Sequence, residues 1–174
     1  MTKLDLLKFV PFRMNRLAAE ISQALSSEYR DRYGMDIPEW RVIATLGFRG
    51  VPCTAQSIVD STRTHKSTIS RAVASLMARG LIERVENPAD RRENSLQLSR
   101  EGKVLYQGLI PRLLVREREI LSCLSPTELA QFEDTLTRIE LWLGLPQTSD
   151  VDAEGSGAEP TRHKADAVTG RVTK

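Results

Sequence analysis

The sequence predicts a mainly α-helical fold with a small β-hairpin wing: a winged helix-turn-helix set between long N- and C-terminal helices. Three observations lead there. Apolar residues recur at three- and four-residue steps, the period that lines one face of a helix, in segments spread along most of the chain. Two of these segments, 55–61 and the one running to Arg79, are separated only by the short polar turn 62–64. Directly after the second, residues 81–86 and 95–98 alternate in the two-residue rhythm of strands about a turn that contains Asn87-Pro88 and four charged residues.

The elements follow in chain order. Met14, Leu17, Ala18, Ile21 and Leu25 mark a long first helix, within an N-terminal helical segment of about 4–34. Gly34 ends it, because glycine accepts the left-handed conformation that helix ends favour. Pro38 opens a second helix, about 38–49, since its missing N–H would be unpaired in a first turn anyway. Trp40, Ile43 and Leu46 form the apolar set of that helix, and Gly50 stops it. A loop at 51–54 leads to the short helix 55–61.

The helix that reaches Arg79 is expected to bury Ile69, Ala72, Val73, Leu76 and Met77 and to end at Gly80. This leaves Lys66, Ser67, Ser70 and Arg71 on the opposite face. A further long helix runs from about Arg100 to Cys123, with Pro111 predicting a kink or local break. Ser125-Pro126-Thr127-Glu128 has the pattern of a helix N-terminus, in which serine caps and glutamate reaches back. The last helix carries the stripe Leu129, Phe132, Leu136, Ile139 and Leu143. Residues 1–146 are thus expected to form one unit, with the helix-turn-helix and wing at about 38–98 and dimerisation helices at about 4–34 and 100–143. The Ser-, Gly-, Asp- and Glu-rich stretch 147–174 reads as a disordered tail.

Composition narrows the function classes. Of 174 residues, 40% are apolar and 28% charged, the balance of a soluble globular protein. No apolar run approaches the roughly 20 residues that a bilayer span needs, and no secretory signal is readable, so a cytoplasmic location with no membrane partner is expected. Cys53 and Cys123 show no CxxC spacing and are expected to be reduced, partly buried thiols. With His65 and His163 as the only histidines, no metal site and no other cofactor is indicated. No nucleophile-base pattern or phosphate-binding glycine loop is present, which argues against an enzyme.

The net charge of +2 is unevenly placed: nine basic and five acidic residues in 63–103 give that segment +4, while 104–146 carries −2. A basic centre on a helix-turn-helix suits phosphate attraction. On the exposed face of the helix that reaches Arg79, Lys66, Ser67, Thr68, Ser70 and Arg71 are cations and short hydroxyls able to approach phosphates and base edges. The helix N-terminal amides near 64–67 favour a phosphate as well. At the hairpin tip, Arg91 and Arg92 can reach a narrow A·T-rich minor groove, and Asp90 can orient a guanidinium.

With these motifs in place, residues from about 14 to 143 resemble the multiple-antibiotic-resistance regulator (MarR) family of bacterial transcription factors. The likeness rests on Thr64-His65-Lys66-Ser67-Thr68-Ile69-Ser70-Arg71, on Arg79-Gly80-Leu81-Ile82, and on Asp90-Arg91-Arg92 followed by Leu96-Gln97-Leu98-Ser99-Arg100-Glu101-Gly102. The resemblance implies a two-fold homodimer that binds a pseudo-palindromic duplex operator, most simply as a repressor. It places Ser67, Thr68, Ser70 and Arg71 towards the major groove and the wing arginines in the minor groove.

The resemblance also implies a small aromatic or amphipathic acid as effector, held between the dimerisation helices and the DNA-binding lobe. Phe12, Arg13, Asn15, Arg16, Trp40 and Arg41 are the candidates for binding it, as an aromatic carboxylate or its coenzyme A thioester. Two alternatives stand beside this reading. One is a redox-responsive regulator using Cys53; the other is a winged-helix module that binds an acidic protein partner instead of DNA.

Overall fold

The computed structural model describes residues 3–86 and 94–145. Helix α1 (Val10–Tyr33) ends in Gly34, whose φ of 57° is left-handed and whose N–H donates back to the Arg30 and Tyr29 carbonyls. Helicity thus begins at Val10 rather than near residue 4, and Pro11 occupies the first turn. Asp36 then opens α2 (Ile37–Arg49) with a full capping box, in which Asp36 Oδ1 accepts from Glu39 N at 2.8 Å and Glu39 Oε2 accepts from Asp36 N at 2.9 Å.

The expected loop 51–54 contains a strand. Strand β1 (Cys53–Thr54) pairs antiparallel with β3 (Asn94–Leu98), Cys53 opposite Leu96, and Thr54 also caps α3 (Ala55–Thr62) by accepting from Ser57 N at 3.1 Å. Two residues are too few to show alternation, which is why the sequence pattern misses them. The recognition-helix candidate α4 (Lys66–Ala78) buries Ile69, Ala72, Val73 and Leu76, with Met77 half-buried, as its spacing predicts. Strands β2 (Ile82–Glu86) and β3 (Asn94–Leu98) form the wing, and the sheet order is β1-β3-β2.

Ser99 turns the chain from wing to helix. Its N–H donates to the Leu81 carbonyl at 3.1 Å, its hydroxyl donates to the Gly80 carbonyl at 2.7 Å, and that hydroxyl accepts from Gly102 N at 3.0 Å. A Cβ on Gly102 would collide with the Leu81 carbonyl oxygen, so this close approach requires glycine. Helix α5 (Arg100–Leu121) continues through Pro111 without a break. Pro111 sits on an exposed face and removes only one hydrogen bond from a ladder of twenty-two residues.

Helix α6 (Pro126–Trp142) opens with a second capping box: Ser125 N and Oγ both donate to Glu128 Oε2, at 2.8 and 2.7 Å, which holds the Glu128 carboxyl below its ordinary range. Two units divide the chain. Met1–Leu136 holds the core of Tyr29, Met35, Val42, Ile43, Leu46, Ile58, Ile69, Leu76, Leu105 and Leu109. Thr137–Lys174 contains, among the described residues, the end of α6, with Trp142 exposed at 89%, and a left-handed Gly144. The tail assigned to 147–174 lies outside the described residues.

Candidate nucleic-acid interface

The geometry of α4 follows from how its other face is held. Its apolar stripe packs against α2 and α3, so Lys66, Ser67, Ser70 and Arg71 emerge exposed and Thr68 half-buried. Lys66 and Arg71 pair with no carboxylate among the described residues. His65 is the N-cap, and no side chain caps α4, although the His65 carbonyl accepts from Thr68 N at 3.0 Å and Ile69 N at 3.1 Å. The Lys66 and Ser67 amides at the start of α4 therefore have no acceptor among the described residues and lie beside exposed cations.

The wing adds side chains that the sequence reading did not single out. A groove of about 420 Å³ between α4 and the sheet is lined by Lys66 and Ser70 from the helix and by Arg84 and Asn94 from the strands. Arg84 shares a sheet face with buried Ile82, and Leu96 lies opposite it in the register. Strand alternation alone could have placed it there. Asp90, Arg91 and Arg92 lie outside the described residues.

The six effector candidates are not gathered into one site. Arg41 points the other way: its Nη1 donates to Thr64 Oγ1 at 3.0 Å, and that hydroxyl donates to the Thr62 carbonyl at 3.2 Å, so Arg41 braces the turn before α4. Trp40 stacks between Tyr29 and Tyr106, with ring centroids 5.6 and 6.4 Å away. It also lines an open, mainly apolar cavity of about 610 Å³, walled by Met14, Leu17, Ile21 and Leu25 of α1, Ile110, Leu113 and Leu114 of α5, and Leu129, Phe132 and Leu136 of α6, with the carboxylates Glu117 and Glu133 in the lining as well. Phe12, Arg13 and Arg16 line a shallower depression that shares Met14 and Leu17 with this cavity. Asn15 is exposed on α1.

Of the thiols, Cys53 is 6% exposed within β1, and burial pushes its pKa up, a tendency that Arg49 only partly offsets. That environment disfavours the thiolate which redox chemistry needs and counts against the Cys53 alternative. Cys123, expected to be partly buried, is exposed, because it lies beyond the end of α5. Among the described residues no group of His, Cys, Asp and Glu is placed to hold a metal ion, and no helix is long and apolar enough to cross a membrane.

A helix-turn-helix whose second helix offers exposed hydroxyls and cations without carboxylate partners among the described residues, followed by a paired wing, has the element order of a winged helix, an arrangement suited to duplex DNA. Residues 33–93 match the model of the MarR family. The chain is 29% identical over 129 residues to the HTH-type transcriptional regulator PecS of Dickeya dadantii (strain 3937), covering 73% of this chain and 77% of that one. Its fold is similar to that of a putative MarR-family regulator from Listeria monocytogenes solved with a 26mer DNA, with a TM-score of 0.67 at 15% identity over 93% of this chain and 100% of the other. It is likewise similar to BpsR of Bordetella bronchiseptica, whose DNA binding is regulated by 6-hydroxynicotinic acid, with a TM-score of 0.67 at 18% identity over 80% and 98%. The chain is thus similar to MarR-family transcriptional regulators in sequence over residues 33–93 and in fold over most of its length.

Proposed function

We propose that the protein is a dimeric, ligand-responsive repressor that reads a pseudo-palindromic operator with two copies of α4. The observation that carries this reading is the exposed face of α4, where Lys66, Ser67, Ser70 and Arg71 project, without carboxylate partners among the described residues, from a helix locked by its apolar side. Arg71 is the side chain able to pair two donors with a guanine edge, while Lys66 and the α4 amides take phosphates. Thr64 and His65 shape the entry to the helix. Asp90, Arg91 and Arg92 are assigned the minor groove, with Asp90 orienting the guanidinium groups.

The apolar cavity supports the dimer. Met14 and Leu17 are 42% and 53% exposed on α1, and Phe132 is exposed on α6, more apolar surface than one chain covers by itself. A second copy, related by a two-fold axis, would bury it and set two recognition helices about one DNA turn apart. On this reading the helices α1, α5 and α6 are the dimerisation elements.

The effector is a small aromatic carboxylate or its coenzyme A thioester. Trp40, stacked with Tyr29 and Tyr106, is among the residues lining the cavity, and Arg13 and Arg16 line the neighbouring depression on α1, where a carboxylate could be held. BpsR, of similar fold, answers 6-hydroxynicotinic acid. Affinity selection of genomic DNA fragments by the full-length protein, with sequencing of what is retained at moderate salt, tests the regulator reading. Enrichment of one pseudo-palindrome near a few promoters is expected, and retention without any motif contradicts it. Calorimetric titration with benzoate- and nicotinate-type acids then tests the effector class; absent heat with unchanged operator affinity removes it.

A further inference from the structure

A capping-box glutamate ordinarily uses one oxygen and lies at the surface. Glu39 is 6% exposed, and its second oxygen is engaged far along the chain: Oε1 accepts from Ser75 Oγ on α4 at 2.5 Å. Arg79, the C-cap of α4, brings Nη1 within 3.5 Å of Glu39 Oε2, while its Nη2 donates to the carbonyl of Tyr33, the last residue of α1. One carboxylate and one guanidinium thus join the end of α1, the start of α2 and the end of α4.

We propose that Glu39 is a positioning residue for DNA recognition, clamping the C-terminal end of α4 to the junction of α1 and α2 so that α1 and the recognition helix move together. The inference rests on the DNA-binding reading above. Ser75 and Arg79 sit at the opposite end of α4 from Lys66 and Ser67; at 1.5 Å per residue, Ser75 is about 12 Å along the axis from Ser67. A restraint at that end sets the tilt with which the other end meets the groove. The apolar stripe already supplies attraction between α4 and α2, but such faces tolerate rocking and sliding. Hydrogen bonds to a buried carboxylate fix direction. An ion pair whose arginine is one-third exposed adds little stability, so the contribution of this network is to orientation.

The test uses the full-length protein with Ser75→Ala, Glu39→Gln and the hydroxyl-retaining Ser75→Thr. Ser75→Ala leaves the α2 capping box intact and serves if Glu39→Gln folds poorly. The probes are the duplex recovered by genomic selection and a shuffled duplex of equal length. We expect Ser75→Ala and Glu39→Gln to lower operator affinity by about tenfold and shuffled-duplex affinity by less than about twofold, with Ser75→Thr close to wild type. In the protein without DNA, Ser75→Ala should speed amide hydrogen exchange at both 75–80 and 30–35. Equal losses on both duplexes, or no loss, would overturn the recognition role. Unchanged exchange at 30–35 would overturn the linkage to α1, and this readout stands apart from whether the wild type prefers any duplex. A wild type without preference defeats the regulator reading itself and the recognition role with it.

Discussion

At the scale of single residues, the two thiols differ in what surrounds them rather than in intrinsic chemistry. Burial in β1 holds the Cys53 thiol protonated above the ordinary range, whereas Cys123 is open to solvent. Iodoacetamide at pH 7.5 should therefore modify one thiol in the native protein, Cys123, and reach Cys53 only on unfolding; equal labelling of both would refute this. Arg71→Ala should weaken operator binding by about 1–3 kcal/mol if the guanidinium pairs a base edge, measured by anisotropy titration. The exposed face of α4 was legible in the sequence because the helical period that buries Ile69, Val73 and Leu76 also dictates what is left outside. Arg41 was not: its type suits either an anion or a hydroxyl, and only the packing of α2 against the turn directs it to Thr64.

Among the elements, boundaries set by local chemistry were readable and those set by distant contacts were not. Gly34, Gly50 and the Ser125–Glu128 box end or begin helices as their residue types dictate. Strand β1 exists because β3 supplies its hydrogen bonds, so residues 53 and 54 carry no pattern of their own. Pro111 predicts interruption from local sterics, and the surrounding helix outweighs it. The junction of wing and α5 shows why the run Ser99–Gly102 reads as specific: Ser99 ties three backbone groups together, and Gly102 admits the Leu81 carbonyl. Gly102→Ala should cost about 1–3 kcal/mol through overpacking, seen as a lower urea midpoint. A midpoint unchanged from wild type would mean that the β2-α5 junction yields more easily than its contacts imply.

For the molecule as a whole, charge and exposed apolar surface both point outward to partners. Residues 63–103 carry +4 in a chain of net +2, and α1, α5 and α6 line a mainly apolar cavity of about 610 Å³. Leu17→Glu should place a charge at that wall and shift sedimentation from dimer to monomer, with operator affinity falling as two linked half-sites become one. A dimer that survives this change would locate the interface elsewhere. The most direct test of the central claim is an anisotropy titration of the selected operator and a shuffled duplex across 50 to about 200 mM salt. Tighter operator binding is expected throughout, with log affinity falling linearly against log salt for both duplexes. Equal affinity for the two sequences at every salt concentration would contradict it.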